Sequence, residues 1–216
     1  MKYKVYILFT LVIITFSCKN KTDKSENGID YKKNTIQVEQ KERHTIIDSI
    51  HPNGNFKVEL FADLENKKNK FNSIFKLYSK TTDNYKLIYS DSIFTTIQEI
   101  LFEDYNQDNI EDILIRNIFD VRSNSTFYLY IIAENGTVKR ILNFEKIKNP
   151  KYLSEYDVIS NLVMSGKNWT SFYEIKNDSI REFSYVIYSD GTDVGEKNYE
   201  AEYKKALLEI GETQKN

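Results

Sequence analysis

The chain has 216 residues and a formal net charge of -2, with 30 basic and 32 acidic side chains, so its overall charge gives no general attraction to nucleic acid or to an anionic membrane surface. Its single cysteine excludes an internal disulfide, and a domain of this length has enough core to fold without one. The 16 Tyr and 13 Phe, beside only 7 Gly and 2 Pro, favour strands joined by turns built on Asn, Asp and Ser.

The first 17 residues have the pattern of a signal peptide. Two lysines precede the apolar stretch Val5–Ile14, and a stretch of about ten residues is too short for a membrane-spanning helix, which needs roughly 20. Ser17 directly before Cys18 resembles a lipobox, the site at which lipoprotein signal peptidase cuts, although the two preceding residues depart from the usual Leu-then-small pattern. The resemblance implies that residues 1–17 are removed and that Cys18 carries acyl chains such as palmitate. An ordinary secretory signal and an uncleaved anchor are the alternatives.

This interpretation predicts an exported protein that is lipid-anchored to the bacterial envelope, on the periplasmic or the surface face of the outer membrane. Residues 18–41 are polar and rich in Lys, Asn and Glu. Such a segment cannot bury enough apolar surface to order itself, so we expect a flexible tether between the lipid and the domain. The Lys, Asn and Ile bias of the chain resembles that of Bacteroidetes proteins.

Residues 42–198 are predicted to form one β domain, because short runs alternate apolar and polar residues with a period of two. Turn signals such as Asn135-Gly136 separate the runs. The predicted strands are 56–60, 75–78, 85–89, 97–102, 112–118, 127–133, 138–144, 158–164, 169–175 and 180–188. This spacing favours an all-β fold, either an antiparallel β-sandwich or a short propeller-like sheet array. Residues 199–216 are predicted to form a C-terminal helix and tail, with one apolar face between Tyr199 and Ile210.

The segment 104–112 predicts a calcium site. Oxygen-bearing side chains fall at loop positions 1, 3, 5 and 9, which are Asp104, Asn106, Asp108 and Asp112. Position 7, Ile110, can lend its backbone carbonyl. Calcium takes six to eight oxygen ligands, and alternate carboxylates in a tight loop can turn their oxygens around one ion. Magnesium fits less well, because it demands strict octahedral geometry. The alternative is a polar hairpin in which Asp and Asn cap backbone amides.

The loop resembles the calcium loops of FG-GAP and integrin-type blades. It resembles still more the Asp-x-Asn-x-Asp-Gly-Tyr-x-Asp-Leu loop of small bacterial periplasmic lipoproteins related to I-type lysozyme inhibitors. It departs from that pattern at Asn109, where the family has Gly, and at Ile110, where it has Tyr. The resemblance implies a β fold, a structural calcium ion and a protein partner. It carries over no inhibitory residue, since no matching inhibitory motif is present.

Together these patterns predict a membrane-anchored, calcium-stabilised β domain that binds a protein partner. The favoured form is an inhibitor or immunity protein that blocks a lysozyme-like cell-wall hydrolase. The alternative is an envelope scaffold lipoprotein for adhesion or glycan handling, without an inhibitory role. The sequence shows no Ser-His-Asp set, glycine-rich phosphate loop or redox cysteine pair, so we expect neither catalytic residues nor enzymatic activity.

Three Asp-Ser-Ile tripeptides resemble an O-glycosylation signal of Bacteroidetes, in which the sugar is attached to the hydroxyl residue after Asp. The serines are Ser49, Ser92 and Ser179. The favoured alternative is ordinary turn chemistry, in which an Asp-Ser pair leads into a strand.

Overall fold

The computed structural model describes residues 43–50, 54–66, 68–189 and 191–214, without the side chains of residues 193 and 194. The predicted signal peptide, the predicted tether and the lipidation residue Cys18 lie outside these residues. Most of the predicted β domain and the whole of the predicted calcium loop lie within them.

The described residues form twelve strands and one long helix, with a 3₁₀ turn at Phe144–Lys146. The elements are β1 (Arg43–Ile50), β2 (Phe56–Ala62), β3 (Ser73–Lys80), β4 (Tyr85–Ile93), β5 (Ile100–Glu103), β6 (Asp112–Phe119), β7 (Ser125–Ile132), β8 (Val138–Ile141), β9 (Lys151–Leu153), β10 (Val158–Ser160), β11 (Asn168–Lys176), β12 (Ser179–Ser189) and α1 (Asp193–Gln214). The predicted all-β fold with one C-terminal helix is confirmed.

The strands form three antiparallel four-stranded sheets, each built from consecutive strands: β1–β4, β5–β8 and β9–β12. One apolar cluster joins the first sheet to the second, another joins the second to the third, and a further cluster joins the third sheet to α1. The second sheet is therefore buried on both faces. Ile113, Ile115 and Leu129 on its strands are fully buried, and each such side chain contributes about 1.5–3 kcal/mol of stability.

Because consecutive strands are antiparallel, their connections alternate between two ends of the stack. One end, which we name the Asp112 end, contains segments 81–84, 104–111, 133–137 and 154–157. The other, the Asp120 end, contains segments 63–72, 94–99, 120–124 and 161–167. Backbone bonds join neighbouring segments at the Asp120 end: Asn72 N–H donates to the Ile93 carbonyl at 3.1 Å, and Thr96 N–H donates to the Asn117 carbonyl at 2.8 Å.

Some boundaries differ from the predicted ones. The helix begins at Asp193 rather than at 199, because Thr192 caps it: the Thr192 hydroxyl accepts the Gly195 N–H at 3.0 Å. The predicted strand 138–144 ends at Ile141, since Leu142 bridges to Ser179 on the third sheet. Within the described residues, no helix combines the length and apolarity that crossing a membrane requires.

Candidate functional site

The predicted calcium loop connects β5 to β6, and Glu103 pairs with Asp112 at the base of that hairpin. Two apolar side chains fix the loop from opposite sides. Ile110 packs into the cluster between the first and second sheets, and Tyr105 packs into the cluster between the second and third. The loop is therefore braced by two strands, as predicted, and also anchored to both cores.

Asp104, at the first loop position, organises the backbone. One of its carboxylate oxygens accepts the N–H of Asn106 at 3.1 Å and the N–H of Gln107 at 2.7 Å. Its other oxygen accepts the N–H of Asn109 at 2.9 Å. A carboxylate surrounded by amide donors in this way holds the chain in a tight turn.

Asn106 and Asp108 follow the same pattern. The Asp108 N–H donates to Asn106 Oδ1 at 3.2 Å, and Asn106 Nδ2 donates to Asp108 Oδ2 at 2.9 Å. The Ile110 N–H donates to Asp108 Oδ1 at 2.8 Å. Asp104, Asn106 and Asp108 thus each accept a backbone amide further along the chain, which is what the polar-hairpin alternative also requires.

The sixth loop position makes the left-handed turn for which the resembling loops use glycine. Asn109 has a φ of 64°, and Gln107 before it has a φ of 59°. Asn tolerates this conformation better than most residues, because its short polar side chain can bond locally. The departure from glycine at position 109 therefore leaves the turn geometry intact.

Asp112, at the ninth position, is the one fully buried carboxylate of the loop. Its two oxygens accept the N–H of Tyr105 at 2.9 Å and the N–H of Ile132 at 3.0 Å. Burial, as the largest cause, and the nearby charges of Asp108 and Asp104 together raise the pKa of Asp112 to about 7, against the opposing effect of the two amide donors.

No Lys, Arg or His in the described part of the chain forms an ion pair with Asp104, Asp108 or Asp112. A buried carboxylate without a cation is costly, which is why its proton is held more tightly. Over the same residues, no three His, Cys, Asp or Glu side chains form a metal-holding group by themselves. An ion here would therefore also need the Asn106 amide oxygen and the Ile110 carbonyl, and oxygens of both kinds are suitable calcium ligands.

The loop is also tied to the third sheet by residues that the sequence analysis did not select. Gln107 Nε2 donates to the Tyr152 hydroxyl and to the Ser154 carbonyl, both at 2.9 Å. The Tyr152 hydroxyl in turn donates to Asp157 at 2.7 Å. The Tyr152 ring stacks on Tyr105, with 5.2 Å between the ring centroids. Only the fold brings these residues together, because they lie some 45 residues apart in sequence.

The three serines of the Asp-Ser-Ile tripeptides lie in different places. Ser49 lies exposed at a bulge in β1 with a φ of 58°, and its N–H donates to Asp48 at 2.6 Å. Ser92 lies exposed on β4. Ser179 begins β12, partly buried, and accepts a bond from Asn143 Nδ2 at 3.3 Å. Turn and bridge chemistry thus accounts for Ser49 and Ser179, and glycosylation stays a prediction.

A second charged cluster lies beneath the first sheet. Arg140 donates to Asp91 at 2.8 Å, the Tyr130 hydroxyl donates to the same carboxylate at 2.9 Å, and the Arg140 guanidinium lies 4.6 Å from the Tyr128 ring centroid. These contacts join two sheets, so we assign them a structural role, and Arg140 Nε is buried without a hydrogen-bond partner in the described residues.

Comparisons of this chain with protein-family models, with curated proteins and with solved structures found no match. The resemblance to lysozyme-inhibitor lipoproteins therefore depends on the loop residues alone and stays a prediction.

Proposed function

We propose that this protein is a lipid-anchored β domain that uses one calcium ion to stabilise the Asp112 end and binds a protein partner. One observation carries the calcium proposal. Asp112 is a fully buried carboxylate with two further acids nearby and no cation paired to it in the described residues. A divalent cation would supply the missing positive charge.

The ligands would be the side chains of Asp104, Asn106, Asp108 and Asp112 with the Ile110 carbonyl. Calcium supplies charge and holds the loop closed; no chemistry at the ion is needed. Because the ligands come together only in the folded chain, binding raises the free energy of unfolding by mass action. The hydrogen bonds of Asp104 and Asp108 to the loop backbone leave lone pairs free, since each carboxylate has about four acceptor positions.

The partner proposal is supported by the outer face of the first sheet. This face exposes the apolar side chains of Ile46, Ile74 and Leu87, which are 54%, 44% and 46% exposed. Beside them, Lys57 lies 4.4 Å from the Tyr78 ring centroid. Mixed aromatic, aliphatic and cationic surfaces of this kind are common in protein interfaces. The resemblance of the loop favours a lysozyme-like cell-wall hydrolase as the partner.

Thermal melting tests the calcium site. At a calcium concentration of about 100 Kd, the stabilisation is about 2.7 kcal/mol, which corresponds to roughly 5–10 °C for a domain of this size. Asp108→Ala should abolish the shift. Asp83→Ala is the matched control, because it removes an acid from the exposed β3–β4 turn at the same end. A melting temperature that is equal in calcium and in EDTA would reject the site.

An activity assay tests the partner. The full chain should slow cell-wall lysis by a lysozyme-like hydrolase in calcium, and Ile46→Asp on the outer face should weaken that effect. Ser184→Asp is the control, because it adds the same charge to an exposed position of β12 in the third sheet. Absence of inhibition across a panel of such hydrolases would favour the envelope-scaffold alternative. Incorporation of a palmitate analogue that Cys18→Ala abolishes would support the anchor.

A further inference from the structure

The Asp120 end gathers exposed apolar side chains from several segments. Val121 at the tip of the β6–β7 hairpin is fully exposed, and Phe119 beside it is 53% exposed. The other exposed large apolar residues at this end are Phe71, Ile97, Ile118, Leu162 and Met164. Single exposed apolar residues are ordinary, but a group of them on one end of a domain indicates an interaction surface.

Hydrogen bonds hold these segments side by side. The Phe119 N–H donates to the Thr96 hydroxyl at 3.1 Å, which places Ile97 beside the hairpin. The Asn124 side chain donates to the Met164 carbonyl at 2.9 Å and accepts the Met164 N–H at 2.7 Å. The segments that carry Ile97, Phe119 and Met164 therefore lie side by side at this end.

The hairpin tip has a fixed backbone. The Asp120 carboxylate accepts the N–H groups of Arg122 and Asn124, both at 2.9 Å, and also the Asn124 side-chain amide. These bonds, the Asn124 bonds first, lower the pKa of Asp120 to about 2. A turn that is satisfied internally projects Val121 into solvent, and no packing within the described residues accounts for its apolar side chain.

The chain enters the domain at this same end. Gln98 Nε2 donates to the Arg43 carbonyl at 3.0 Å and to the Leu60 carbonyl at 2.7 Å, so the first described residue lies beside the segment that carries Ile97. Residues 19–42 separate Arg43 from Cys18, and a segment of that length spans at most about 85 Å. An anchor on Cys18 would therefore be joined to the domain at the Asp120 end.

The two ends differ in charge as well. Exposed basic side chains at the Asp120 end are Arg43, Lys68, Lys70, Arg122 and Lys167. Two acids there are paired, Glu99 with Arg116 and Asp120 with Lys148, while Asp63 and Glu65 are also exposed. The exposed acids at the Asp112 end include Glu103, Asp108, Glu111, Glu134, Glu155 and Asp157, and they outnumber the exposed Lys80 and Lys86 beside the β3–β4 turn. Apolar tips ringed by Lys and Arg suit an interface with anionic lipid, and the acidic end does not.

We infer that the Asp120 end lies on the lipid surface, with Phe119 and Val121 at the boundary between headgroups and acyl chains. The acidic Asp112 end then faces away from the membrane, towards solvent and partners. This orientation rests on the proposed lipid anchor at Cys18. The anchor attaches the chain, and the apolar hairpin tip sets which face of the domain meets the bilayer.

The test uses the full chain, purified from the membranes of a host that processes it and reconstituted in vesicles of phosphatidylethanolamine and phosphatidylglycerol. An environment-sensitive dye is attached at Val121→Cys or, as the control, at Thr82→Cys in the exposed β3–β4 turn of the opposite end. We expect the Val121→Cys dye to shift to the blue and to lose about half of its emission to spin-labelled lipid, and the Thr82→Cys dye to do neither.

Other outcomes would overturn the inference, each in a recognisable way. A Val121→Cys dye that stays open to aqueous iodide in vesicles would mean that the end faces solvent. Protection that grows with protein concentration in detergent would mean that a second copy of the chain covers it. A parent protein whose Cys18 thiol reacts with the dye would show that the anchor itself is missing. That last result contradicts the proposed lipidation as well as the orientation, while the other two contradict the orientation alone.

Discussion

Asp112 begins β6 and Asp120 directly follows it, so the two lie at opposite ends of one strand. Both carboxylates accept two backbone N–H groups, yet the pKa of one is raised and the pKa of the other is lowered. The pKa of Asp120 falls to about 2 through its bonds to Asn124 and Arg122, with Lys148 nearby. The pKa of Asp112 rises to about 7, because it is buried and faces Asp108 and Asp104. Two backbone amide donors lower the pKa of the partly exposed Asp120, but they do not outweigh the effect of burial on Asp112.

The comparison separates a self-sufficient turn from one that needs an external cation. At Asp120 the turn is complete with protein groups alone, so it can serve as a rigid projection. At Asp112 the fold buries a carboxylate with two other acids nearby, which costs stability, and a bound cation would offset that cost. The same kind of turn, in which Asp carboxylates accept backbone amides, therefore fixes the backbone at the Asp120 end. At the Asp112 end we propose that it also binds an ion.

The largest predicted effect is a pH dependence that arises from Asp112 when calcium is removed. The folded state holds the Asp112 proton more tightly than the unfolded state, whose pKa is near 3.8. The contribution of Asp112 to the free energy of unfolding in EDTA should therefore be most favourable below about pH 4. It should fall by up to about 4 kcal/mol as pH rises to 7 and then level off. Urea unfolding between pH 4 and 8 measures it.

Saturating calcium should flatten this pH dependence, because the ion favours the ionised form. Asp112→Asn should flatten it in EDTA, since no titrating group remains at that position. A slope that persists unchanged in Asp112→Asn would show that another group causes it and would remove the contrast between the two turns.

The next largest effect concerns the turn at Asn109. Asn109→Ala should lower the free energy of unfolding by about 1–2 kcal/mol, because a residue with a Cβ and no polar side chain is strained at a φ of 64°. Asn109→Gly should change it by less than about 1 kcal/mol, since glycine adopts this conformation freely. Denaturant unfolding in calcium compares the two. Equal losses in both variants would mean that the Asn109 side chain acts through a contact rather than through its backbone conformation.

The smallest effect is expected at Asp120. Asp120→Ala should lower stability slightly at neutral pH, because the Arg122 and Asn124 N–H groups lose their acceptor. The parent should lose this contribution as pH falls from about 4 to about 2, since the folded pKa of Asp120 lies below its unfolded value of 3.8. Acid melts of both proteins measure the difference. The calcium-induced shift should be the same in both, and a reduced shift in Asp120→Ala would contradict the independence of the two ends.

Sequence periodicity predicted the fold class and most strands, but it could not predict the layering. β6 and β7 lie in the middle sheet, and their side chains are buried on both faces, as with Ile113 and Leu114. A strand that is buried on both faces lacks the alternation of apolar and polar residues that is typical of a half-exposed strand. Its position in the stack of sheets therefore cannot be predicted from a period-two pattern. β9 escaped prediction because three residues are too few to show any period.

The candidate loop was predicted from spacing alone, because its polar residues are local in sequence. The environment of Asp112 was not, since Ile132 and Tyr105 reach it through the sheet and the core. The Gln107–Tyr152 bond was unpredictable for the same reason. Sequence spacing can therefore predict candidate ligands, but the burial of Asp112, which would favour a bound cation, arises only from packing.

Calorimetric titration of EDTA-stripped protein with calcium tests the central claim most directly. The account predicts one ion per chain for the parent and for Asp120→Ala, and no binding for Asp108→Ala. Absence of calcium binding to the parent, or equal binding to Asp108→Ala, would contradict it.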